Sequence, residues 1–396
     1  MPANRTILML SVEHGCVDVY QGSVAALIPF FVAERSYTYA VASGIVLAAS
    51  LLSSVAQPFF GVLTDRWALP WLLPVSTLLG GAGVALSGLS GSYGLTLVFV
   101  AVSGVGVAAY HPESARVARI ASQGSHTAMG WFSLGGNIGF AAAPFMVTAA
   151  VATGGLRFTP LLILPATVGS VLCLPVLRAL ARAETAAGRG SPVPPAKREH
   201  DDTRSFVKLS CAVAFRSVAF MGLSTFIALY ARQRTGGGTT SGTVALSVLY
   251  LGGAVGTVLG GRLATRFDRV AVVRGAYLAG IVAVAGTVLV PGPVLYLFVA
   301  LTSASLYVPF SLQVTLGQDY LPSRMGTASG VTLGLAVGVG GVAGPLIGAL
   351  ADATSLRTAL LPLILMPGLA CLMVSTLREP PVHRLVAPEP VPERQP

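Results

Sequence analysis

Twelve times along this chain a run of about twenty apolar residues ends at a charged or glycine-rich break and then begins again. A helix that crosses the hydrocarbon of a bilayer needs about 20 such residues. The runs fall at 7–32, 40–63, 71–90, 94–118, 127–152, 158–177, 207–231, 243–263, 271–290, 294–316, 325–350 and 357–376. Only 10% of the residues are charged, against about 25% in a soluble domain. That leaves too little polar surface to face water, so lipid is the expected solvent for most of the chain. The 46 glycines fit the same reading, because glycine lets membrane helices approach closely. The expected fold is all-α and integral to the membrane, with twelve transmembrane helices.

Charge placement orients those helices. With the N-terminus in the cytoplasm, nineteen Lys and Arg fall on the inner side, among them Arg5, Arg66, Arg116, Arg119 and seven residues between 178 and 208. Five fall outside (Arg35, Arg157, Arg232, Arg234 and Arg357), and Arg216 lies within a span. Positive loops stay inside, so a multi-pass protein of the cytoplasmic membrane with both termini cytoplasmic is expected. The net charge of +10 sits beside the spans; it reads as topology and lipid contact, not as a nucleic-acid surface. Cys16, Cys173, Cys211 and Cys371 lie within spans and form no Cys-x-x-Cys pair, so neither a disulfide framework nor a metal site is expected. The first apolar run is broken by Glu13 and His14 and is long for a cleavable leader.

The chain divides in two. Residues 178–208 are charged and contain Pro192, Pro194 and Pro195. They mark a cytoplasmic linker, set at 181–205, between an N-terminal six-helix bundle at 1–180 and a C-terminal one at 206–377. Residues 378–396 are proline-rich and polar and are expected to form a disordered cytoplasmic tail. Three stretches of the first half return in the second in the same order. Gly61-Val-Leu-Thr-Asp-Arg66 returns as Gly261-Arg-Leu-Ala-Thr-Arg266, Tyr110-His-Pro-Glu-Ser114 as Tyr307-Val-Pro-Phe-Ser311, and Gly135-Gly-x-x-Gly139 as Gly340-Gly-x-x-Gly344. Paired repeats of this kind form a binding site at their interface near the midplane. Glycines four apart, at 252, 256 and 260 and again at 340, 344 and 348, share a helix face and form grooves for partner helices.

Ionisable groups inside a membrane are costly, and each is a candidate for function. The first span holds Glu13, His14 and Asp18; the fourth holds His111 and Glu113, with Arg116 near its end. His14, Asp18 and Gln21 follow i, i+4, i+7 on one helix face, with Tyr20 adjoining. At about 1.5 Å per residue, Glu13, His14, His111 and Glu113 all lie roughly 10 Å from the cytoplasmic end of their spans. The two polar clusters can therefore meet at one depth. A carboxyl group held between a low dielectric and a neighbouring cation can load and release protons, and these five residues are the candidate proton-coupling set. The bland alternative is a salt-bridge cluster that fixes helix register, with His111 repairing the kink at Pro112. Arg216, about ten residues into the seventh span, is the repeat counterpart of the Cys16–Asp18 region. It suits either an anionic substrate group or a partner such as Asp18 or Glu13. Gln57, Asn137 and Gln313, with Tyr20 and Gln21, are candidates to line the cavity or to hydrogen-bond between helices. Asp65, Arg66 and Arg116 are candidate gating residues; Asp65 could face the N-terminus of the eleventh helix.

Six plus six spans, the linker and Gly61-Val-Leu-Thr-Asp65-Arg66 resemble the major facilitator superfamily. More narrowly the chain is similar to the fosmidomycin-resistance efflux proteins. The resemblance lies in His14-Gly-Cys-Val-Asp18-Val-Tyr-Gln21, Gln57-Pro-Phe-Phe-Gly61, Trp71-Leu-Leu-Pro74, His111-Pro-Glu-Ser-Ala-Arg116 and Gly135-Gly-Asn137. It implies the superfamily's two pseudo-symmetric bundles and efflux of a small anionic drug, hence antibiotic resistance, by proton antiport. The loop motif departs from the superfamily's: Asp65-Arg66 is followed by Trp-Ala-Leu-Pro, and Thr265 replaces the aspartate in the second copy.

No Gly-x-Ser-x-Gly, His-Glu-x-x-His or Walker motif is present, and the two lysines, Lys197 and Lys208, both lie at the linker. A membrane enzyme or an ATP-driven pump is therefore disfavoured. Twelve spans in two repeats suit alternating access better than a fixed pore. The expected protein is a cofactor-free transporter whose partners are a small-molecule substrate, protons and lipid, working as a monomer. An importer or a facilitator of the same fold remains the alternative, because flux direction is not written in the spans.

Overall fold

The computed structural model describes residues 3–67, 69–122, 126–152, 154–187, 201–322 and 325–380. The first half comprises α1 (Ala3–Arg35), α2 (Tyr39–Arg66), α3 (Leu72–Ser87), α4 (Tyr93–Ser122), α5 (His126–Val151) and α6 (Leu164–Ala187). The second comprises α7 (Thr203–Thr235), α8 (Gly238–Leu263), α9 (Arg269–Leu289), α10 (Leu295–Tyr320), α11 (Met325–Ala353), the short α12 (Leu356–Leu360) and α13 (Leu365–Ser375). Among the described residues eleven helical stretches are long and apolar enough to span a bilayer. The twelfth crossing is α3, 16 residues long. It is about 24 Å in length, shorter than the expected run at 71–90, because a Gly-Leu-Ser turn ends it at residues 88–90. Large apolar side chains such as Val55, Phe59, Val282 and Leu346 are exposed on the perimeter. In a bilayer that surface meets lipid tails instead of water.

The repeat governs packing. Neighbours α1–α5, α2–α4, α3–α4 and α3–α6 recur as α7–α11, α8–α10, α9–α10 and α9–α13. Prolines recur with them: Pro112 and Pro309 inside α4 and α10, Pro144 and Pro345 inside α5 and α11. The last crossing of each half enters through a 3-10 segment carrying a proline, Leu156–Ile163 with Pro160 and Leu361–Ile364 with Pro362. Two six-helix bundles related in this way form the expected fold.

The bundles meet along α2–α11 and α5–α8, and the meeting is one-sided. At the end of the molecule opposite the linker, Gly348 lies against the backbone of Tyr39 and Ala40, where an added Cβ would come within 2.7 Å. Further along, Gly344 faces Ser43 and Gly338 faces Ser54. A Cβ on Gly334 or Gly330, nearer the linker end, would meet nothing within 4 Å among the described residues. On the other seam the Thr148 and Thr243 hydroxyls bond at 2.7 Å at the far end. Near the linker end, neither Gly130 of α5 nor Gly261 of α8 has a neighbour within that 4 Å reach. Among the described residues the halves are closed at the far end and parted at the linker end.

Two expectations about the connecting segments change. Helix α6 continues to Ala187 and α7 begins at Thr203, capped by Asp202, so the expected linker at 181–205 includes helical turns at both ends; 188–200 lie outside the described residues. The expected disordered tail at 378–396 begins as a packed strap. Glu379 accepts from Arg269 at 2.6 Å and from the Val270 amide at 2.9 Å, and the Arg378 carbonyl accepts from the Tyr320 hydroxyl. The acid thus satisfies one of the free amides that begin α9. The rest of the tail, 381–396, is outside the described residues.

Candidate functional site

Helices α1, α4 and α5 build a triad from His14, Asp18 and His111. His14 Nε2 lies 3.3 Å from Asp18 Oδ2, and His111 Nε2 lies 3.2 Å from Asp18 Oδ1. Asp18 is 5% exposed, so its charge depends on these two rings for compensation. Both rings are anchored from behind. His14 Nδ1 is 2.9 Å from the Phe132 carbonyl, with its ring stacked on the Phe132 ring, and His111 Nδ1 is 2.8 Å from the Val107 carbonyl. A carbonyl only accepts, so each Nδ1 carries the hydrogen. Each Nε2 then presents a bare lone pair to the carboxylate unless a further proton sits on it. The triad is attractive when it holds protons and repulsive when it has lost them. Its donor atoms lie within 4.8 Å of one another, close enough for one small cation to serve all three.

Glycine makes the triad possible. A Cβ on Gly136 would come within 2.8 Å of the His14 ring and would also meet Asp18. Gly135 and Gly139 abut the backbone of Ser11 and Gly15, so α5 lies directly on α1 where the triad forms.

The other two proton-coupling candidates are elsewhere. Glu13 is fully buried but faces α6, where the Cys173 thiol donates to it. Adjacent helix residues point about 100° apart, which carries Glu13 away from the His14 face. Glu113, also fully buried, takes a bidentate pair from Arg116 one turn on, at 2.5 and 2.9 Å. That pair lies within α4, the register-fixing arrangement of the bland alternative, and it sets Glu113 apart from the triad. His111 bonds the Val107 carbonyl, while the carbonyl that Pro112 deprives of an amide is that of Ala108. The ring thus does more than repair a kink.

Arg216, 3% exposed, lies in α7 with no carboxylate in ion-pair range among the described residues. Its guanidinium sits over the Phe310 ring at 5.2 Å, one terminal nitrogen reaches the Leu306 carbonyl at 3.5 Å, and Nε has no partner. The expected alternative of a pair with Asp18 or Glu13 is not formed. Tyr307 stands between the two sites and has both Asp18 and Arg216 among its electrostatic neighbours. By the repeat, Tyr110-His-Pro-Glu113 and Tyr307-Val-Pro-Phe310 are equivalent. The first half carries acid–base groups where the second carries an aromatic face for an arginine.

The polar cavity candidates separate. Gln313 is buried and donates to the Tyr277 hydroxyl at 2.7 Å, leaving its own Oε1 without a partner. Gln21 and Gln57 are half-buried, and Asn137 donates to Ser133 within its own helix. Tyr20 is a correction: its hydroxyl donates to the Leu162 carbonyl and accepts from the Ala166 amide, and the side chain is fully buried. It pins α1 to α6 and, being fully buried, offers no surface to a substrate. Asp65 and Arg66 close α2, but their side chains fall outside what the structure describes.

Sequence reasoning missed Asp352. Its two oxygens accept from the Tyr39 and Ala40 amides at 2.8 and 2.9 Å, joining the end of α11 to the start of α2 at the far seam. The signal was available: an acid in the last turn of a helix opposes that helix's dipole and needs a partner elsewhere. Asp352→Ala should cost the closed seam about 0.5–2 kcal/mol, the worth of an N-terminal cap. A cysteine placed at the buried Ser43 should then react several-fold faster with a thiol reagent than it does with Asp352 present. Equal rates would reject the seam as the closing contact.

Two related six-helix bundles that each bury ionisable groups among their helices have the architecture of a membrane transporter. The chain belongs to the Major Facilitator Superfamily, whose sequence profile matches residues 15–345. It is 30% identical over 358 residues to the fosmidomycin resistance protein of Escherichia coli (strain K12), covering 88% of this chain and 86% of that one. It is 28% identical over 384 residues to the uncharacterized MFS-type transporter YfnC of Bacillus subtilis (strain 168), covering 92% and 91%. Among solved structures, a bacterial homologue of the human lysosomal transporter Spinster, inward-facing and occupied, aligns over 93% of this chain and 95% of its own with a TM-score of 0.74 at 15% identity.

Proposed function

We propose that the protein is a proton-coupled antiporter of the cytoplasmic membrane that exports a small anionic compound by alternating access. The observation that carries this reading is the division of labour between the halves: the His14–Asp18–His111 triad in one, and in the other Arg216 without an acidic partner among the described residues. With both termini cytoplasmic, the parted end faces the cell interior and the closed end faces outside. The anion is taken up from the cytoplasm at Arg216 while the triad is empty of protons. After the bundles rock, protons from outside load the triad. Protonation replaces lone-pair repulsion by hydrogen bonds and stabilises the form that returns without substrate. The similarity to a fosmidomycin resistance protein supports an anionic antibiotic as one such load.

A second reading has its own support. Tyr307 lies within electrostatic range of both Asp18 and Arg216, so protonating the triad removes negative charge near the anion site and would favour proton and anion together. That is symport, and hence import. Purified protein in liposomes separates the two. Under an imposed pH gradient, fosmidomycin moving against its own gradient while protons move the opposite way is the expected result. Movement of both in one direction selects symport, and counterflow without proton movement rejects coupling.

A further inference from the structure

We propose that the site at Arg216 prefers anions with a planar aromatic ring next to the acidic group over aliphatic ones such as fosmidomycin. This rests on the reading of Arg216 as the anion site and adds the chemistry of the rest of the ligand. The Phe310 ring covers a face of the guanidinium, while its edge keeps an unpartnered Nε. An oxyanion can therefore approach in the guanidinium plane, where the N–H donors point, without displacing the ring.

What surrounds that edge is aromatic. Phe310 lies 5.8 Å from Tyr307, Tyr307 lies 4.9 Å from Phe220 in a T-shaped contact, and Phe220 lies 6.4 Å from Tyr250. Tyr250 meets Phe140 of the other bundle at 5.2 Å. The rings form one wall from Arg216 across the interface of the repeats. Their spacings suit edge-to-face contact with a further ring. The wall is built for this place. An added Cβ on Gly253 of α8 would come within 3.0 Å of the Tyr307 ring, and one on Gly256 within 3.0 Å of Tyr307 Cβ. Gly253 thus makes room for the tyrosine ring, and Gly256 lets α8 lie against the backbone of α10 at Ala304 beside it. Tyr307, Phe310 and Phe140 are only half-buried, so their rings keep surface to offer. The Tyr307 hydroxyl makes no hydrogen bond among the described residues, so it is free to meet a polar substituent. Small-molecule sites are commonly apolar walls with a few placed polar groups; here the wall is aromatic and the polar group a cation.

The test is calorimetric titration of the purified full-length protein with phenylphosphonate and with cyclohexylphosphonate, which match in charge and nearly in size. The aromatic ligand should bind about three- to tenfold more tightly, the worth of an aromatic contact beyond its buried area. Phe310→Leu should bring the ratio close to one. Phe220→Leu, which leaves the Phe310 ring over Arg216 in place, gives the same reading should the first variant fail to fold. Equal binding of both ligands to the native protein overturns the aromatic proposal and leaves the anion site standing. Binding of neither, or binding that Arg216→Gln does not weaken, overturns the anion site and the aromatic proposal with it.

Discussion

Asp18→Asn should abolish pH-driven transport, with a fall of at least about a hundredfold, the scale on which an obligatory proton-transfer group acts. The amide keeps the size of the carboxylate, so the α1–α5 packing at Gly136 survives. What it loses is the charge that makes protonation of His14 and His111 favourable. Both rings stay tied to backbone carbonyls through Nδ1, and with asparagine between them a bare Nε2 can accept an amide hydrogen without any proton from solution. The triad becomes content when empty, and the pH gradient has nothing to act on. Substrate exchange between two pools at equal pH should persist, because Arg216 is untouched. The check is transport in liposomes with and without a pH gradient. A variant that runs at the native rate with the native pH dependence would show that the triad only sets helix register.

Arg216→Gln should weaken anionic substrates by about ten- to a hundredfold, the equivalent of one or two hydrogen bonds to a charged group. Neutral compounds should change by less than about threefold. The position makes this a clean difference. Among the described residues Arg216 has no carboxylate partner, so the substitution strands no buried acid there. Half-saturating concentrations for a phosphonate and for a neutral analogue, measured side by side, decide the matter; equal losses would reject Arg216 as the anion site.

The spans were legible because lipid imposes length and composition on every crossing, and the one short crossing, α3, is where a glycine–serine turn competes with the apolar run. The meeting of α1 with α4 was legible from depth and helix face: His14 and Asp18 share a face, and His111 lies at the same level. Their anchors were not, because Phe132 and Val107 contribute carbonyls, which every residue has. Glu13 was misplaced for a geometric reason, since one step along a helix turns a side chain onto a different neighbour. Tyr20 was misplaced because a tyrosine beside a polar face can serve cavity or core, and only the partners of its hydroxyl decide. Phe310 lay within the repeat match Tyr307-Val-Pro-Phe310. What hid its role is that a π face for a cation looks like any apolar residue in a membrane sequence.

The strap formed by Arg378 and Glu379 bears on how the protein is handled at the bench. Glu379 ties the start of α9, through Arg269, to the end of α10, where Asp319 meets the same arginine at 2.6 Å. A reporter or affinity handle joined after Pro380 leaves that knot tied. Trimming the chain back to Leu377, a natural choice if everything beyond the last crossing is treated as dispensable, would unfasten two helices of the second bundle.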